Sequence, residues 1–169
     1  MLKVIEETTV DGPGFRNSVY CAGCAHHCPG CHNPESWAMD GGEERDVEDV
    51  ARQLLDDPYS DVTFTGGDPF FQAPAFARLA SIIKTRSTKT IWCYTGFTFD
   101  AIVKEADPSR MALLQQIDVL VDGPFVQALR DEDALFRGST NQRLIDVPPS
   151  LRQGTPVLWV PDLLTDANH

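Results

Sequence analysis

The chain has 169 residues, 42% of them hydrophobic and 23% charged, with a formal net charge of -11 at pH 7. Such a length and apolar content suit one compact domain with a buried core and exclude a disordered chain. The acidic balance argues against nucleic acid or an anionic membrane surface as partner. No apolar run approaches the ~20 residues of a membrane-spanning helix.

The N-terminal stretch MLKVIEETTVDGPG lacks the apolar core of a secretory signal, so the expected location is cytoplasmic. There thiols stay reduced. Of five cysteines, four fall between Cys21 and Cys31, and such crowding reads as metal ligands or redox thiols before disulfides. Gly12-Pro13-Gly14 predicts a turn. Residues 17–21 (NSVYC) predict a strand that runs into the cysteine loop. Asp46 then caps a helix whose Val47, Val50, Ala51 and Leu54 share one face. Residues 62–64 predict a strand ended by Gly66-Gly67, followed by a helix with Phe76, Leu79, Ala80 and Ile83 on one face. Residues 91–94 form the next strand. Phe99, Ile102, Val103 and Ala106 mark a helix stopped near Pro108, and Ser109 caps a further short one. Residues 117–121 (IDVLV) predict a strand, and residues 142–147 and 156–160 two late ones.

No repeat, low-complexity tract or linker interrupts this order, so residues 1–169 are expected to form a single domain. Strands alternating with helices of this length imply βαβ units in a mainly parallel sheet. Such sheets carry ligand loops at the C-terminal ends of their strands. Three predicted strand ends bear glycine, in TGGDP, YTGF and VDGPF, and the cysteine loop follows a fourth strand. All four loops are expected on one rim. A complete eight-stranded barrel needs roughly 250 residues, so the expectation is an α/β fold: an incomplete (β/α) barrel, open on one side.

The cysteine spacing is Cys21-x2-Cys24-x3-Cys28-x2-Cys31. Zinc ribbons separate their two C-x2-C pairs by about 12 to 20 residues, and no register fits the bacterial ferredoxin run. Without Cys21, C-x3-C-x2-C remains: three thiolates for a four-iron cubane, one iron lacking a protein ligand. An incomplete shell is where a substrate binds a metal. Structural zinc is the other reading of these three thiols. Cys21 shares a strand face with Val19 and reads as a small buried hydrophobe, the alternative being a fourth ligand in an inactive cluster. Cys93, between Trp92 and Tyr94, is expected in the core.

C-x3-C-x2-C resembles the signature of the radical S-adenosylmethionine (radical SAM) enzymes. The span DGPGFRNSVYCAGCAHHCPGCHNPESW is similar to that of the activases that install glycyl radicals. Within that group GC-x3-CPGC-x-N, TGGDP, IWCYTGF, VLVDGPFV and RGSTNQR resemble the activating-protein family of anaerobic ribonucleoside-triphosphate reductases. The likeness runs from about residue 10 to 147 and leaves the tail, 148–169, unassigned. It implies a radical SAM barrel in which Cys24, Cys28 and Cys31 hold one [4Fe-4S] cluster. S-adenosylmethionine chelates the open iron through its methionine amino and carboxylate groups. Reductive cleavage then releases methionine and a 5′-deoxyadenosyl radical, which takes hydrogen from a glycine of the reductase large subunit.

The same resemblance implies an electron donor of the flavodoxin or ferredoxin type. It implies that the backbone at Gly66 and Gly67 reaches the methionine amino group, the other reading being a tight turn that needs positive φ, with Asp68 as acceptor or helix cap. Many radical SAM enzymes carry an aromatic residue before the last cysteine; Gly30 stands there here, leaving the adenine contact to its backbone and to the ring of His32, whose other reading is a solvent-facing histidine. Thr95 and Asp122 end strands on the same rim, to meet the cofactor or to cap their own turns. His26 and His27, inside the ligand loop, are expected in a solvated loop, the alternative being hydrogen bonds that tune the cluster. The turn before Arg16 is expected to border the site, with Arg16 near partner or cofactor. Arg137, Ser139, Asn141 and Gln142 lie either near the open side or in an exposed loop. Alternatives are a formate-lyase-type activase, a radical SAM enzyme acting on a small ring, and a zinc-binding interaction module.

Overall fold

The structure, a computed structural model, describes residue 1 and residues 3–162. Six strands form one sheet in sequence order: β1 (Lys3–Thr8), β2 (Arg16–Cys21), β3 (Asp61–Gly66), β4 (Ile91–Tyr94), β5 (Val119–Asp122) and β6 (Arg143–Asp146). The four central strands run parallel, and β1 and β6 add antiparallel edges. The sheet is mixed, mostly parallel and not closed.

The parallel pairs are joined through α1 (Val47–Asp56), α2 (Ala73–Arg86), and the successive helices α3 (Phe99–Glu105) and α4 (Pro108–Leu114). Side chains alternate along each strand, and the two faces of the sheet have separate cores. Val19, Cys21, Val62, Phe64, Ile91, Cys93 and Leu120 pack with the buried helix residues Leu54, Phe76, Ile83 and Ile102. On the other face Trp92, Val119 and Val121 pack with Phe136, Leu144 and Trp159. Helix starts follow capping chemistry: Asp46 Oδ1 accepts from the Glu48 and Asp49 amides at 2.8 and 3.2 Å.

Three expectations are corrected and one strand is added. β1 was not read from the sequence: Val4 and Ile5 are adjacent instead of alternating, and the strand owes its place to pairing with β2. α4 is capped by Asp107, whose Oδ1 accepts from the Arg110 amide at 2.9 Å, and not by Ser109, because Pro108 opens the helix. The strand expected over residues 142–147 ends at Asp146. There α5 (Val147–Gln153) begins, with prolines in its first turn where missing N–H groups cost nothing. Residues 156–160 make only a bridge, Leu158 to Ile145, and lie beside β6. Of the unassigned tail, residues 163–169 lie outside the described residues.

Arg16 lies far from the cysteine loop. It opens β2 beside Asp61, at the N-terminal ends of the parallel strands, and is fully buried. Its Nε donates to Thr63 Oγ1 at 2.7 Å and its Nη2 to the Val62 carbonyl at 2.6 Å, with the guanidinium over the Trp92 ring. Burial lowers its pKa to about 10. The expectation that Arg16 meets a partner or cofactor is replaced by a structural role. Asp11, in the same turn, does border the cavity described below.

Candidate functional site

β2 delivers the chain to the rim at Cys21, which pairs with Gly66 at the end of β3. The two segments then pass so closely that side chains are excluded. A methyl on Gly66 would sit 2.5 Å from the Cys21 nitrogen, and one on Gly67 2.5 Å from the Gly23 oxygen. Gly66 also has φ +99, a backbone region that favours glycine. The Gly67 amide donates to the Cys21 carbonyl at 2.8 Å and the Asp68 amide to the Gly23 carbonyl at 2.9 Å. The cysteine loop is thereby laid across the end of β3.

Beyond this crossing a cavity of about 530 Å³ opens on the rim, within the range of small-molecule sites. Cys24, Cys28 and Cys31 line it together with His26, His32, Gly66, Gly67, Asp68, Thr95 and Gly96. The loop after β5 adds Gly123 and Phe125. The four strand-end loops expected on one rim therefore do meet. Gly30 is exposed and lies against Gln127, outside the cavity wall. Tyr20, Tyr94, Phe125, Gly138 and Gln142 also line the cavity and were not assigned to it from the sequence, except Gln142, left open there. For Phe125 the signal was its place after the third strand-end glycine. A second cavity, about 510 Å³, lies behind Cys21 between α1, α2 and residues 39–45 and includes none of the three loop cysteines.

The donor set in the first cavity fits an iron–sulfur cluster. Three half-buried thiols share its wall, and a backbone N–H group aims at one of them. The Asn33 amide donates to Cys31 Sγ at 3.4 Å. An N–H···S bond of this kind holds and tunes a cluster thiolate. Burial raises the Cys24 thiol above its ordinary value. Among the described residues no three His, Cys, Asp or Glu side chains converge on one point to hold a single metal ion. Cys21 faces the other core, is 1% exposed, and has its thiol pushed up to about 12 by burial. Cys93 is fully buried and likewise raised.

Asp68 is 1% exposed, and its carboxylate joins three segments. Oδ1 accepts from the Phe70 amide at 2.9 Å, capping the turn Pro69–Gln72. Oδ2 accepts from His26 Nε2 at 2.7 Å, Thr95 Oγ1 at 2.8 Å and the Gly96 amide at 3.0 Å. The solvated-loop expectation holds for His27, which is exposed, and fails for His26. The His26 ring is anchored on Asp68 and packed between Phe71 and Phe97, with centroids at 5.2 and 4.6 Å.

Asp122 points away from the cavity: it accepts from the Phe99 amide at 2.7 Å and from Arg143 Nη2 at 2.6 Å. Of its two readings the structure takes the cap. The polar segment from Arg137 to Arg143 braces the loop after β5. Gln142 Nε2 donates to the Gly123 carbonyl at 3.1 Å, Asn141 Nδ2 to the Pro124 carbonyl at 2.8 Å, and Ser139 Oγ accepts from the Val126 amide at 3.2 Å.

Comparison with known proteins agrees with this geometry. Residues 10–145 match the family described as "4Fe-4S single cluster domain". The anaerobic ribonucleoside-triphosphate reductase-activating protein of Escherichia coli (strain K12) is 36% identical over 141 residues, covering 79% of this chain and 89% of that one. The protein of the same name from Vibrio cholerae is 38% identical, covering 79% and 88%. The one from Enterobacteria phage T4 is 34% identical, covering 80% and 86%. With a matched span that takes in the whole cysteine loop and every strand-end glycine, the chain belongs to the family of anaerobic ribonucleoside-triphosphate reductase-activating proteins.

Proposed function

We propose that this chain is a radical SAM activase that generates a glycyl radical on the large subunit of an anaerobic ribonucleoside-triphosphate reductase. One observation carries the reading: the three cysteines of C-x3-C-x2-C line a rim cavity with the glycines of TGGDP, in a chain of this family. The open, mostly parallel sheet with its site at the strand ends supports an incomplete barrel of the radical SAM type.

Cys24, Cys28 and Cys31 would hold the [4Fe-4S] cluster. When bound, the cluster would supply the single electron for reductive cleavage of the S–C5′ bond of S-adenosylmethionine, the chemistry by which a glycine Cα hydrogen of the reductase would be removed. This chain's residues bind and shield. The backbone at Gly66 and Gly67 faces the methionine end. His32 and Phe125, with ring centroids 5.3 Å apart on the cavity wall, would offer apolar surface to the adenine, with Gly30 just outside the wall. Asp68 and Thr95 hold the shelf beneath. A flavodoxin- or ferredoxin-type protein supplies the electron, in the cytoplasm. Among the described residues no helix is long and apolar enough to cross a membrane.

The test is anaerobic incubation with the reductase large subunit, a one-electron reductant and S-adenosylmethionine. A glycyl radical signal by electron paramagnetic resonance is expected, absent with Cys28→Ala. A reductase left without signal by a cluster-loaded chain would refute the assignment.

A further inference from the structure

The cysteine loop has an outer surface that the cluster cavity does not use. Residues 21–39 hold a single Asp, Glu, Lys or Arg, Glu35, in a chain with 14 Lys and Arg and 25 Asp and Glu. Glu35 lines the cavity. Ala25, His27, Ala38 and Met39 are exposed, Met39 to 57%, and none of them lines it. Two main-chain bonds join these residues into one surface: the Gly23 amide donates to the Ser36 carbonyl at 2.7 Å and the Cys24 amide to the Trp37 carbonyl at 3.2 Å. The His27 ring lies beside the Trp37 ring with centroids 4.8 Å apart. Met39 lies against the backbone just before Cys24, since a methyl on Gly23 would sit 2.8 Å from its Sδ. Met39 also lines the second cavity, of about 510 Å³, together with Val19, Phe76 and Leu79. Protein interfaces have this character: their centres are depleted in charge and enriched in aromatic residues and Met, and an apolar pocket takes an anchoring side chain.

We propose that this outer surface, formed by Ala25, His27, Trp37, Ala38 and Met39, is where a one-electron carrier protein docks to reduce the cluster. The inference rests on the reading of Cys24, Cys28 and Cys31 as cluster ligands. On that reading the inner side of the loop belongs to S-adenosylmethionine and the target glycine, and the outer side is left to the carrier. Among the described residues nothing covers it, and Cys24 is tied into it through its own amide. One electron leaves the carrier, which is oxidised, and enters the cluster, which is reduced; no bond forms or breaks. Charge selects both the place and the partner. The net charge of -11 spreads acidic groups over the rest of the chain and spares this strip. The strip fits a carrier whose contact face is apolar and uncharged, since a charged one would lose hydration here without gaining a partner. A contact of this kind is small and short-lived, as electron-transfer encounters are.

The experiment measures how fast the reconstituted cluster is reduced by reduced flavodoxin, or by ferredoxin where flavodoxin does not react, and separately by dithionite. It compares wild type, Met39→Glu, Ala38→Glu, Met39→Leu and Tyr59→Glu. Tyr59, 91% exposed, precedes β3 at the opposite ends of the strands, so its variant adds the same charge elsewhere. Met39→Glu and Ala38→Glu are each expected to slow reduction by the carrier about tenfold. Met39→Leu and Tyr59→Glu should keep the wild-type rate, and every variant its iron, its sulfide and its rate with dithionite. An unchanged carrier rate in both glutamate variants overturns the proposal, as does loss of the cluster from both. Equal slowing with dithionite, or in Tyr59→Glu, overturns it too. If the glutamate variants instead keep the carrier rate and form less glycyl radical on the large subunit under dithionite, the surface belongs to the reductase and the proposal falls. A wild-type chain reduced by dithionite and by neither carrier also overturns it. A wild-type chain that binds no cluster would instead overturn the underlying function.

Discussion

Asp68 accepts hydrogen bonds from Phe70, His26, Thr95 and Gly96 inside a site where it is 1% exposed. Asp68→Ala leaves these donors without their partner. The expected loss is about 3 kcal/mol of unfolding free energy, measured by urea denaturation of the cluster-free chain; a loss under ~0.5 kcal/mol would mean that the network carries no load. The cysteines separate just as sharply. Cys28→Ala is expected to abolish cluster assembly. Cys21→Ala should retain the wild-type iron and sulfide content at a cost of about 1 kcal/mol for a small core deletion. Equal iron losses in the two variants would contradict the ligand assignment. Spacing alone set Cys21 apart from the other three, because strand alternation sends it to the Val19 face. The anchorage of the His26 ring was not legible. Its partner Asp68 stands 42 residues away, and only the parallel pairing of β2 with β3 brings them together.

At the scale of elements, what could be read followed local chemistry. α1 and α2 announced themselves by one apolar face each: α1 buries Val50, Ala51 and Leu54 with the named Val47 half-buried, and α2 buries Phe76, Leu79, Ala80 and Ile83 together with Ala73, which the periodicity did not name. The three parallel strands after β2 were visible because each ends in glycine on the rim. β1 and α5 were not, for opposite reasons. β1 is an edge strand made by its neighbour, and the valine of α5 extends an apolar run that resembles strand until Pro148 and Pro149 are read as a helix start. The segment beside β6 is held by main-chain bonds, from the Trp159 amide to the Leu144 carbonyl and from the Asp146 amide to the Val157 carbonyl, each 2.8 Å. Its side-chain anchor is Trp159, edge-on to Trp92 with centroids 4.9 Å apart. Trp159→Ala is expected to destabilise the chain by about 2 kcal/mol, below the range for fully buried tryptophan because this one is half-buried, while cluster content stays unchanged. Loss of the cluster in this variant would place the segment in the site.

For the molecule as a whole, burial of ionisable groups makes stability depend on alkaline pH. The fold raises Cys21 from an ordinary 9.0 to about 12 and Tyr20 from 10.0 to about 12, both chiefly by desolvation. Between those values the unfolded chain loses protons that the folded chain keeps, so stability falls as pH rises from 9 to 12. Urea midpoints of the cluster-free chain at pH 8 and 10 are expected to show that fall, and Cys21→Ala to show a smaller one; identical slopes would contradict the burial of this thiol. The parallel sheet, its open form and the shared rim were all foreshadowed by the order of helices and glycine-ended strands. What joins them into one site is long-range: the loop after β5 is braced by residues 137–143, and the cysteine loop is laid across β3 by backbone contacts that no periodicity reveals. The whole account turns on three cysteine thiolates that leave one iron of a cluster open to S-adenosylmethionine. Its most direct test is electron paramagnetic resonance of the anaerobically prepared, reduced chain with and without S-adenosylmethionine, alongside metal and sulfide analysis. The account predicts four irons and four sulfides per chain and a cluster spectrum that changes when S-adenosylmethionine is added; zinc without sulfide, or a cluster spectrum indifferent to S-adenosylmethionine, would contradict it.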